Sequence, residues 1–162
     1  MSHLHFRIKT DGGSRGNPGA SACAFVCWLD DQDEPLLLHQ AGQYLGKKTN
    51  NQAEYHAVIA SLDWLASYFD HYHLDPSQAS VDWFADSTLI VEQLLGHWKI
   101  KNTGMNALHD IALQKLHRLG LAHYDFTYIP REQNTQADAL VNQVLDEQAD
   151  IATQGLDLSA TD

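Results

Sequence analysis

Four acidic residues lie where predicted elements of the chain begin or end, and together they could do chemistry. Asp11 and Asp86 stand at the ends of two short strand-like segments. Glu54 and Asp138 lie in the first turns of predicted helices, where the partial positive charge of a helix N-terminus tolerates a carboxylate. If the two strands are parallel neighbours, their ends meet at one edge of the sheet. We therefore expect all four acids to converge there.

Carboxylates gathered at one point repel each other unless cations lie between them. Two like charges about 4 Å apart cost on the order of 4 kcal/mol at an effective dielectric of about 20. Two divalent ions would balance the four negative charges, and all-oxygen ligation suits Mg²⁺ or Mn²⁺. Two such ions about 3.5–4 Å apart can activate a water and stabilise a leaving oxygen in phosphodiester cleavage.

Each acid also has a purely local interpretation. Asp11 precedes a glycine-rich segment and could be a turn residue, and Asp86 could cap the helix that follows it. Glu54 could be the acid of a capping box that begins at Asn51, and Asp138 could be an ordinary acid at a helix start. The residue types alone leave both the local and the metal-binding interpretation open, and the flanking sequences distinguish between them.

The elements that must position these acids follow from the spacing of apolar residues. Strands are predicted over residues 4–10, 20–29, 36–45, 80–85 and 124–128, and helices over 51–68, 87–95, 106–119 and 135–148. Short connections make the first three strands an antiparallel meander. Helices separate the last two strands, which favours right-handed crossovers between parallel strands. We predict an α/β fold with one mixed five-stranded sheet flanked by helices.

Length and composition set the broad class. A chain of 162 residues with 44% hydrophobic and 19% charged residues is expected to form a folded domain, which excludes a disordered protein. No apolar stretch approaches the roughly 18 residues of a membrane span, and the first residues alternate instead of forming a signal-peptide core. We expect a cytoplasmic monomer with no membrane partner, a domain over 1–150 and a frayed acidic tail over 151–162.

The charge balance argues at first against a nucleic-acid partner. Ten Lys and Arg stand against 21 Asp and Glu, which gives a net charge of −11. Part of this excess is local, in the segment 30–34 and in the tail, which contains no Lys or Arg. Metal ions or a small basic patch can also override the global field. Net charge therefore does not exclude a nucleic-acid substrate.

Four motifs around the acids identify a family. They are Thr-Asp-Gly-Gly-Ser-Arg-Gly-Asn-Pro-Gly at 10–19, Thr-Asn-Asn-Gln-Ala-Glu-Tyr at 49–55, Asp-Ser-Thr-Leu at 86–89, and Ile-Pro-Arg-Glu-Gln-Asn at 129–134, which leads to Ala137 and Asp138. With these motifs in order over about residues 4–145, the chain resembles the type 1 ribonuclease H family, closest to its compact bacterial and archaeal members. The predicted order of elements is also that of the ribonuclease H fold.

The resemblance implies an activity and a set of catalytic residues. It places two divalent ions, Mg²⁺ with Mn²⁺ able to substitute, on Asp11, Glu54, Asp86 and Asp138. In that family one ion activates the water that attacks phosphorus, and the other assists departure of the 3′-oxygen. The implied reaction is endonucleolytic hydrolysis of the RNA strand of an RNA/DNA hybrid, which leaves 5′-phosphate and 3′-hydroxyl ends.

Residues flanking the acids suit the minor groove of a hybrid, which displays the 2′-hydroxyls of the RNA strand. Glycines let a backbone approach the RNA closely, and side-chain amides offer both donors and acceptors. The predicted substrate-binding residues are Gly12, Gly13, Ser14, Thr49, Asn50, Asn51 and Gln52. Thr49 matches a family position that helps hold a DNA phosphate. The two asparagines could also cap a helix, which does not exclude substrate contact.

Two departures from the family pattern add candidates. Many members have a histidine in the loop before the last helix, but none occurs here from Tyr124 onward. Arg131 takes its place, as in the compact subgroup, and is either a catalytic residue or a surface arginine. The basic insertion of some bacterial members is reduced to residues 96–102, with two lysines. Trp98 in that segment either stacks on the DNA strand or belongs to the core.

Two alternatives remain beside a hybrid-specific nuclease. Some relatives with the same fold also cut double-stranded RNA or RNA–DNA junctions, and the sequence does not separate these substrates. A catalytically idle ribonuclease H-like module that binds nucleic acid or a protein is the other alternative. The loss of an acid would favour it, whereas all four acids are present here.

Overall fold

The computed structural model describes residues 3–30 and 33–154. Within them the strands are β1 (Leu4–Arg15), β2 (Gly19–Asp30), β3 (Pro35–Lys48), β4 (Ala79–Ala85), β5 (His123–Tyr128) and β6 (Ile151–Gln154). The α-helices are α1 (Asn50–His71), α2 (Thr88–Leu94), α3 (Thr103–Leu119) and α4 (Thr135–Glu147). All six strands form one sheet in the order β5-β4-β1-β2-β3-β6.

The direction of the strands confirms the predicted mixed α/β sheet. β1, β2 and β3 form the antiparallel meander, whereas β4 pairs in parallel with β1 and β5 pairs in parallel with β4. The register of the β1–β4 pair sets Thr10 opposite Ala85. The next residue of each chain is an acid, so the parallel pairing brings Asp11 and Asp86 to the same edge of the sheet.

The strand count of five is wrong, because a sixth strand lies in the segment predicted to be frayed. β6 pairs antiparallel with residues 39–42 of β3, and Asp150 accepts a hydrogen bond from the backbone N–H of Tyr44 at 2.8 Å. Four residues are too few to show a strand period, and the acidic composition of the tail hid the apolar Ile151. Residues 155–162 of the predicted tail lie outside the described residues, and the domain boundary at 150 otherwise stays a prediction.

The core has two parts, one on each face of the sheet. The larger part packs α1 and α3 against residues such as Phe6, Ile8 and Trp83, and the Trp83 indole donates to Ser61 Oγ at 2.9 Å. The smaller part packs α4 against the alanines of β2 and Val26. Small β2 side chains allow α4 to lie close to the sheet. No helix in the described ranges combines the length and apolarity needed to cross a membrane.

β1 is longer than predicted, and this changes the setting of Asp11. The glycine-rich segment after Asp11 was expected to be a loop, but it continues the strand to Arg15 and pairs with residues 20–23 of β2. Gly12 is needed here for packing, because a Cβ at this position would lie 2.3 Å from the backbone carbon of Ala53. Gly12 thus lets α1 approach β1, and Asp11 lies inside a paired strand.

The start of α1 also differs from the prediction. Thr49 is the N-cap: its side chain accepts from the Gln52 N–H at 3.1 Å, and the Gln52 side chain accepts from the Thr49 N–H at 3.0 Å. The predicted capping box of Asn51 and Glu54 is therefore wrong. Thr49 has the extended backbone that an N-cap requires, which shifts the helix start and places Glu54 beyond the first turn.

The close packing at Gly12 gives a stability prediction. Gly12→Ala should lower the free energy of unfolding by on the order of 3 kcal/mol, because the added Cβ overlaps backbone atoms that move only if α1 shifts. Gly13→Ala is the matched control, since its Cβ would meet Val141 Cγ1 at 3.4 Å, an ordinary contact. Urea unfolding of the two variants measures the difference, and equal midpoints would contradict this account of Gly12.

Candidate active site

An open cavity of about 370 Å³ lies where the acids were expected to meet. It contains ten of the predicted site residues: Asp11, Gly12, Gly13, Ser14, Asn50, Asn51, Glu54, Asp86, Arg131 and Asp138. Arg15, Ser87, Val141, Asn142 and Leu145 complete its lining. Thr49, Gln52 and Trp98 do not line it. The topology therefore gathers most of the predicted site, from β1, α1, the end of β4 and α4, around one space.

Three of the four carboxylates form a tight group. Asp11, Glu54 and Asp86 each offer an oxygen, and these three atoms lie within 4.8 Å of one another. Asp11 and Glu54 are buried, with 6% and 7% of their surfaces exposed. Asp138 lies in the first turn of α4 and lines the same cavity, but it is not part of this close group. Asp11, Glu54 and Asp86 are called the carboxylate group below.

Each member of the carboxylate group is held by a different element, and Glu54 lies in α1. Asp11 is fixed by its strand and accepts from the Gly12 N–H at 3.0 Å. Asp86 follows β4, and its Oδ2 accepts from the side chain of Asn134 at 3.2 Å. Ser87, not Asp86, caps α2 by accepting from the Ile90 N–H, so the local interpretation of Asp86 as a cap is wrong.

Burial and mutual repulsion shift the acidities of the group. Burial, followed by the charge of Asp86, raises the pKa of Asp11 from 3.8 to about 7. Burial, followed by the charge of Asp11, raises the pKa of Glu54 well above its usual value. Asp11 and Glu54 therefore hold protons to a higher pH than ordinary carboxyl groups when no cation neutralises them.

The donor set fits a hard divalent cation. All three close ligands are carboxylate oxygens, which such ions prefer. Glu54 Oε2 is buried without a hydrogen-bond partner among the described residues, so it is free to bind a cation. Burial first and neighbouring carboxylates second raise the pKa values of Asp11 and Glu54, and a bound cation would offset both effects. The chemistry that this arrangement supports is metal-assisted attack on a bond to an anionic centre.

Three of the residues predicted to contact substrate make hydrogen bonds within the fold at the start of α1. Thr49 and Gln52 cap α1 with their side chains, and Asn50 Oδ1 accepts from the Ser14 N–H at 2.8 Å. Asn50 thus ties the start of α1 to the end of β1, and the capping alternative is wrong for this residue because Thr49 is the N-cap. Asn51 also lines the cavity. Substrate contact by all these residues stays a prediction.

Arg131 and Trp98 differ in their relation to the cavity. Arg131 lies in a short 3₁₀ turn, Arg131–Gln133, and lines the cavity from an exposed position. No ion pair within the described ranges includes it. Trp98 is 46% exposed, so the alternative that it is a core tryptophan is wrong, and it stands outside the cavity lining. A catalytic role for Arg131 and stacking by Trp98 remain predictions.

Sequence reasoning missed several residues around the site. Arg15 lines the cavity and pairs with Asp146 at 2.7 Å, and the Asn142 amide donates to the Asp138 carbonyl at 3.0 Å. Asn134 is fully buried beside Asp86. Arg15 and Asn134 lie inside the quoted motifs, which was the available signal. The only sequence signal for Asn142 was its position four residues after Asp138 in a predicted helix.

Comparison with known proteins agrees with this topology. The sequence model of the family described as "Reverse transcriptase-like" matches residues 9–144. Ribonuclease HI of Halobacterium salinarum is 36% identical over 146 residues, which cover 90% of this chain and 64% of that protein. The Bifunctional protein Rv2228c of Mycobacterium tuberculosis is 37% identical over 150 residues, or 93% of this chain. The chain spans 38% of the length of this mycobacterial relative.

Solved structures similar to this chain are also ribonucleases H. RNase H1 of Halobacterium salinarum is 34% identical, with a TM-score of 0.74 over 88% of this chain and 98% of that one. LC11-RNase H1, solved in complex with an RNA/DNA hybrid, is 34% identical, with a TM-score of 0.77 over 88% and 98%. Topology and site together define an α/β domain with the ribonuclease H fold. The chain belongs to the type 1 ribonuclease H family, as its motifs indicated.

The raised pKa of Asp11 predicts how stability depends on pH without metal. Because the pKa is about 7 in the folded chain and 3.8 in the unfolded one, protonation of Asp11 stabilises the fold. That stabilisation is complete below about pH 4 and is lost as the pH rises through about 7. In EDTA, Asp11→Asn should match the parent at pH 4 and exceed it by on the order of 3 kcal/mol at pH 8.

Thermal unfolding at several pH values in EDTA checks this prediction. Asp63→Asn is the control, because Asp63 is exposed and pairs with Lys115 outside the cavity. Added Mg²⁺ should raise the Tm of the parent at pH 8 and leave that of Asp11→Asn nearly unchanged. A Tm difference between Asp11→Asn and parent that does not vary with pH would contradict the predicted repulsion.

Proposed function

We propose that this protein cleaves the RNA strand of RNA/DNA hybrids endonucleolytically, with two Mg²⁺ ions for which Mn²⁺ can substitute. The products are 5′-phosphate and 3′-hydroxyl ends. The observation that carries the proposal is the carboxylate group, with its oxygens within 4.8 Å of one another in an open cavity. The hybrid in the LC11-RNase H1 complex supports the choice of substrate.

The chain's own residues would divide the work as follows. Asp11, Glu54 and Asp86 hold the ions, and Asp138 faces the same cavity from α4. Bound there, the ions supply a nucleophile from water at neutral pH and stabilise the leaving oxygen. The backbone segment 12–14 and Asn51 orient the RNA beside them. Rigid strands and helices fix these groups before the substrate arrives, which lowers the entropic cost of reaction.

The charge distribution bears on substrate binding. The net charge is −11, so the protein repels a hybrid at long range. Arg15 and Arg131 line the cavity and provide local attraction for phosphates. Arg15 is partly neutralised by Asp146, which leaves few effective cations at the site. We therefore propose weak hybrid binding that decreases with salt and increases with divalent ions.

The geometry favours an enzyme over an idle binding module. All four acids line one cavity, and burial with neighbouring charge raises the pKa of Asp11 and of Glu54, which is costly in a protein that needs no cation there. A substrate panel with hybrid, double-stranded RNA and an RNA–DNA junction, each in Mg²⁺ and in Mn²⁺, defines the range of substrates. Binding without cleavage of any of them would favour the idle module.

We further propose that the protein acts as a monomer in the cytoplasm. The described residues of one chain bring all four acids to one cavity, so a single copy can supply the proposed metal ligands. Cys23 and Cys27 are free and buried, in keeping with a reducing compartment. Size-exclusion chromatography with light scattering tests the first statement, and fractionation of cells that produce the protein tests the second.

The proposed role of Asp11 predicts the loss of cleavage. Asp11→Asn keeps the shape of the side chain and removes the charge that a cation needs. We expect no detectable cleavage of a labelled hybrid in Mg²⁺, with the fold retained. Asp63→Asn is again the control and should cleave like the parent. Near-normal Mg²⁺-dependent rates in Asp11→Asn would disprove the assignment.

Contacts to 2′-hydroxyls predict discrimination between RNA and DNA at the level of single sites. Replacing the four ribonucleotides around one cut site by deoxyribonucleotides should abolish cutting there and leave cutting elsewhere on the same strand unchanged. The reason is that the backbone at 12–14 and Asn51 are suited to groove contacts and not to base readout. Gel analysis of end-labelled strands measures the pattern, and comparable cleavage of an all-DNA duplex would refute it.

Arg131 is predicted to act through its charge. A guanidinium keeps its proton and its charge in proteins, so Arg131 can only orient phosphate or assist product release. Arg131→Ala should lower turnover by about 10-fold, which corresponds to about 1.4 kcal/mol. Arg131→Lys should recover part of that loss. If single-turnover and steady-state rates of Arg131→Ala both equal those of the parent, Arg131 is a surface arginine.

A further inference from the structure

Asn134 occupies a junction between three elements of the site. Its side chain is fully buried, and its Nδ2 donates both to the Thr10 carbonyl at 2.8 Å and to Asp86 Oδ2 at 3.2 Å. Its own carbonyl accepts from the Asp138 N–H at 3.1 Å, as the N-cap of α4. One residue therefore touches the strand that carries Asp11, the carboxylate of Asp86 and the turn that carries Asp138.

The orientation of the Asn134 amide follows from its neighbours. Thr10 O and Asp86 Oδ2 are both acceptors, so the NH₂ group must face them, and a flipped amide would set oxygen against two oxygens. Asn134 Oδ1 is then buried with no hydrogen-bond partner among the described residues. An unpaired buried acceptor is unfavourable, so stability alone does not account for an asparagine at this position.

Repulsion within the carboxylate group suggests why an asparagine that donates to Asp86 lies here. Asp86 is less buried than Asp11 and Glu54, and one of its oxygens lies within 4.8 Å of an oxygen of each of them, so ionised carboxylates repel here. A partly exposed side chain under repulsion turns towards solvent unless a donor holds it. The hydrogen bond from Asn134 to Oδ2 opposes that movement and leaves the other oxygen of Asp86 outside this bond.

We propose that Asn134 is a positioning residue that holds Asp86 in place for cation binding, an inference that rests on the proposed function. It acts on the ions through Asp86, as hydrogen-bonding neighbours of metal ligands commonly do. Because the same residue contacts β1 and begins α4, it also sets the distance between the strand of Asp11 and the turn of Asp138.

Lys9 offers a matched control within the same region. Its ammonium group donates to the Gln133 carbonyl at 2.9 Å and lies 5.6 Å from the centre of the Trp28 ring. Lys9 and Asn134 thus both fasten the residues before α4 to β1, but only Asn134 bonds to a carboxylate of the group. Comparing Lys9→Met with a variant of Asn134 separates fastening of the turn from positioning of Asp86.

The test measures Mn²⁺ binding by calorimetry without nucleic acid, together with Tm and with kcat and KM on a hybrid. Asn134→Leu should weaken Mn²⁺ binding by about 10–100-fold, and at saturating Mn²⁺ it should lower kcat with KM for the hybrid unchanged. Lys9→Met should keep the Mn²⁺ affinity within about twofold of the parent. If Asn134→Leu does not fold, Asn134→Ser replaces it, because serine is a good N-cap but is too short to reach Asp86.

The outcomes separate this inference from the proposed function. Mn²⁺ affinity and kcat within about twofold of the parent in a folded Asn134→Leu or Asn134→Ser would overturn the positioning role. Equal loss of Mn²⁺ affinity in Lys9→Met would also overturn it, because fastening of the turn would then suffice. If the parent cleaves no hybrid but the Asn134 variants alone lose Mn²⁺ binding, the proposed function fails and the positioning role stands.

Discussion

Repulsion among Asp11, Glu54 and Asp86 is the constraint that the rest of the structure has to meet. Their oxygens lie within 4.8 Å of one another, and two of the three side chains are buried. A flexible chain would relieve this repulsion by moving the acids apart. Here they cannot separate, since Asp11 lies inside a strand that pairs on both sides and Glu54 lies on a helix packed against that strand.

The packing at Gly12 therefore controls the electrostatics of the site. The missing side chain lets the backbone of α1 at Ala53 approach β1, and Glu54 is the next residue. A larger residue at 12 would push the helix outward and carry Glu54 away from Asp11. The parallel pairing of β1 with β4 fixes the position of Asp86 relative to Asp11, because it determines which residues of the two strands are opposite. Backbone geometry, more than side-chain freedom, sets the distances within the carboxylate group.

Much of this arrangement was predictable because its causes are local or periodic. Alternation marked the strands, helical spacing marked the helices, and the connections implied that the last two strands are parallel. The pairing of β1 with β4 was a condition of the prediction, and the structure meets it by placing Asp11 beside Asp86. The errors came from tertiary contacts. Glycines after Asp11 suggested a loop, but pairing with β2 continues the strand, and Gly12 is required by a helix distant in sequence. The amide of Asn134 gave no signal of its own, since its partners come from two other segments.

The acidic character of the protein is easier to understand in terms of this site. Excess negative charge disfavours a polyanion at a distance, yet the local repulsion at the cavity would disappear if cations neutralised the carboxylates there. Divalent ions would then link a negative protein to a negative substrate. In such a protein the ions contribute to binding as well as to chemistry, because few other cations face the cavity. Under the proposed function, substrate affinity and catalysis should therefore depend on the same ions, and a position such as Asn134 that holds a ligand in place should affect substrate affinity only where the ions are not saturating.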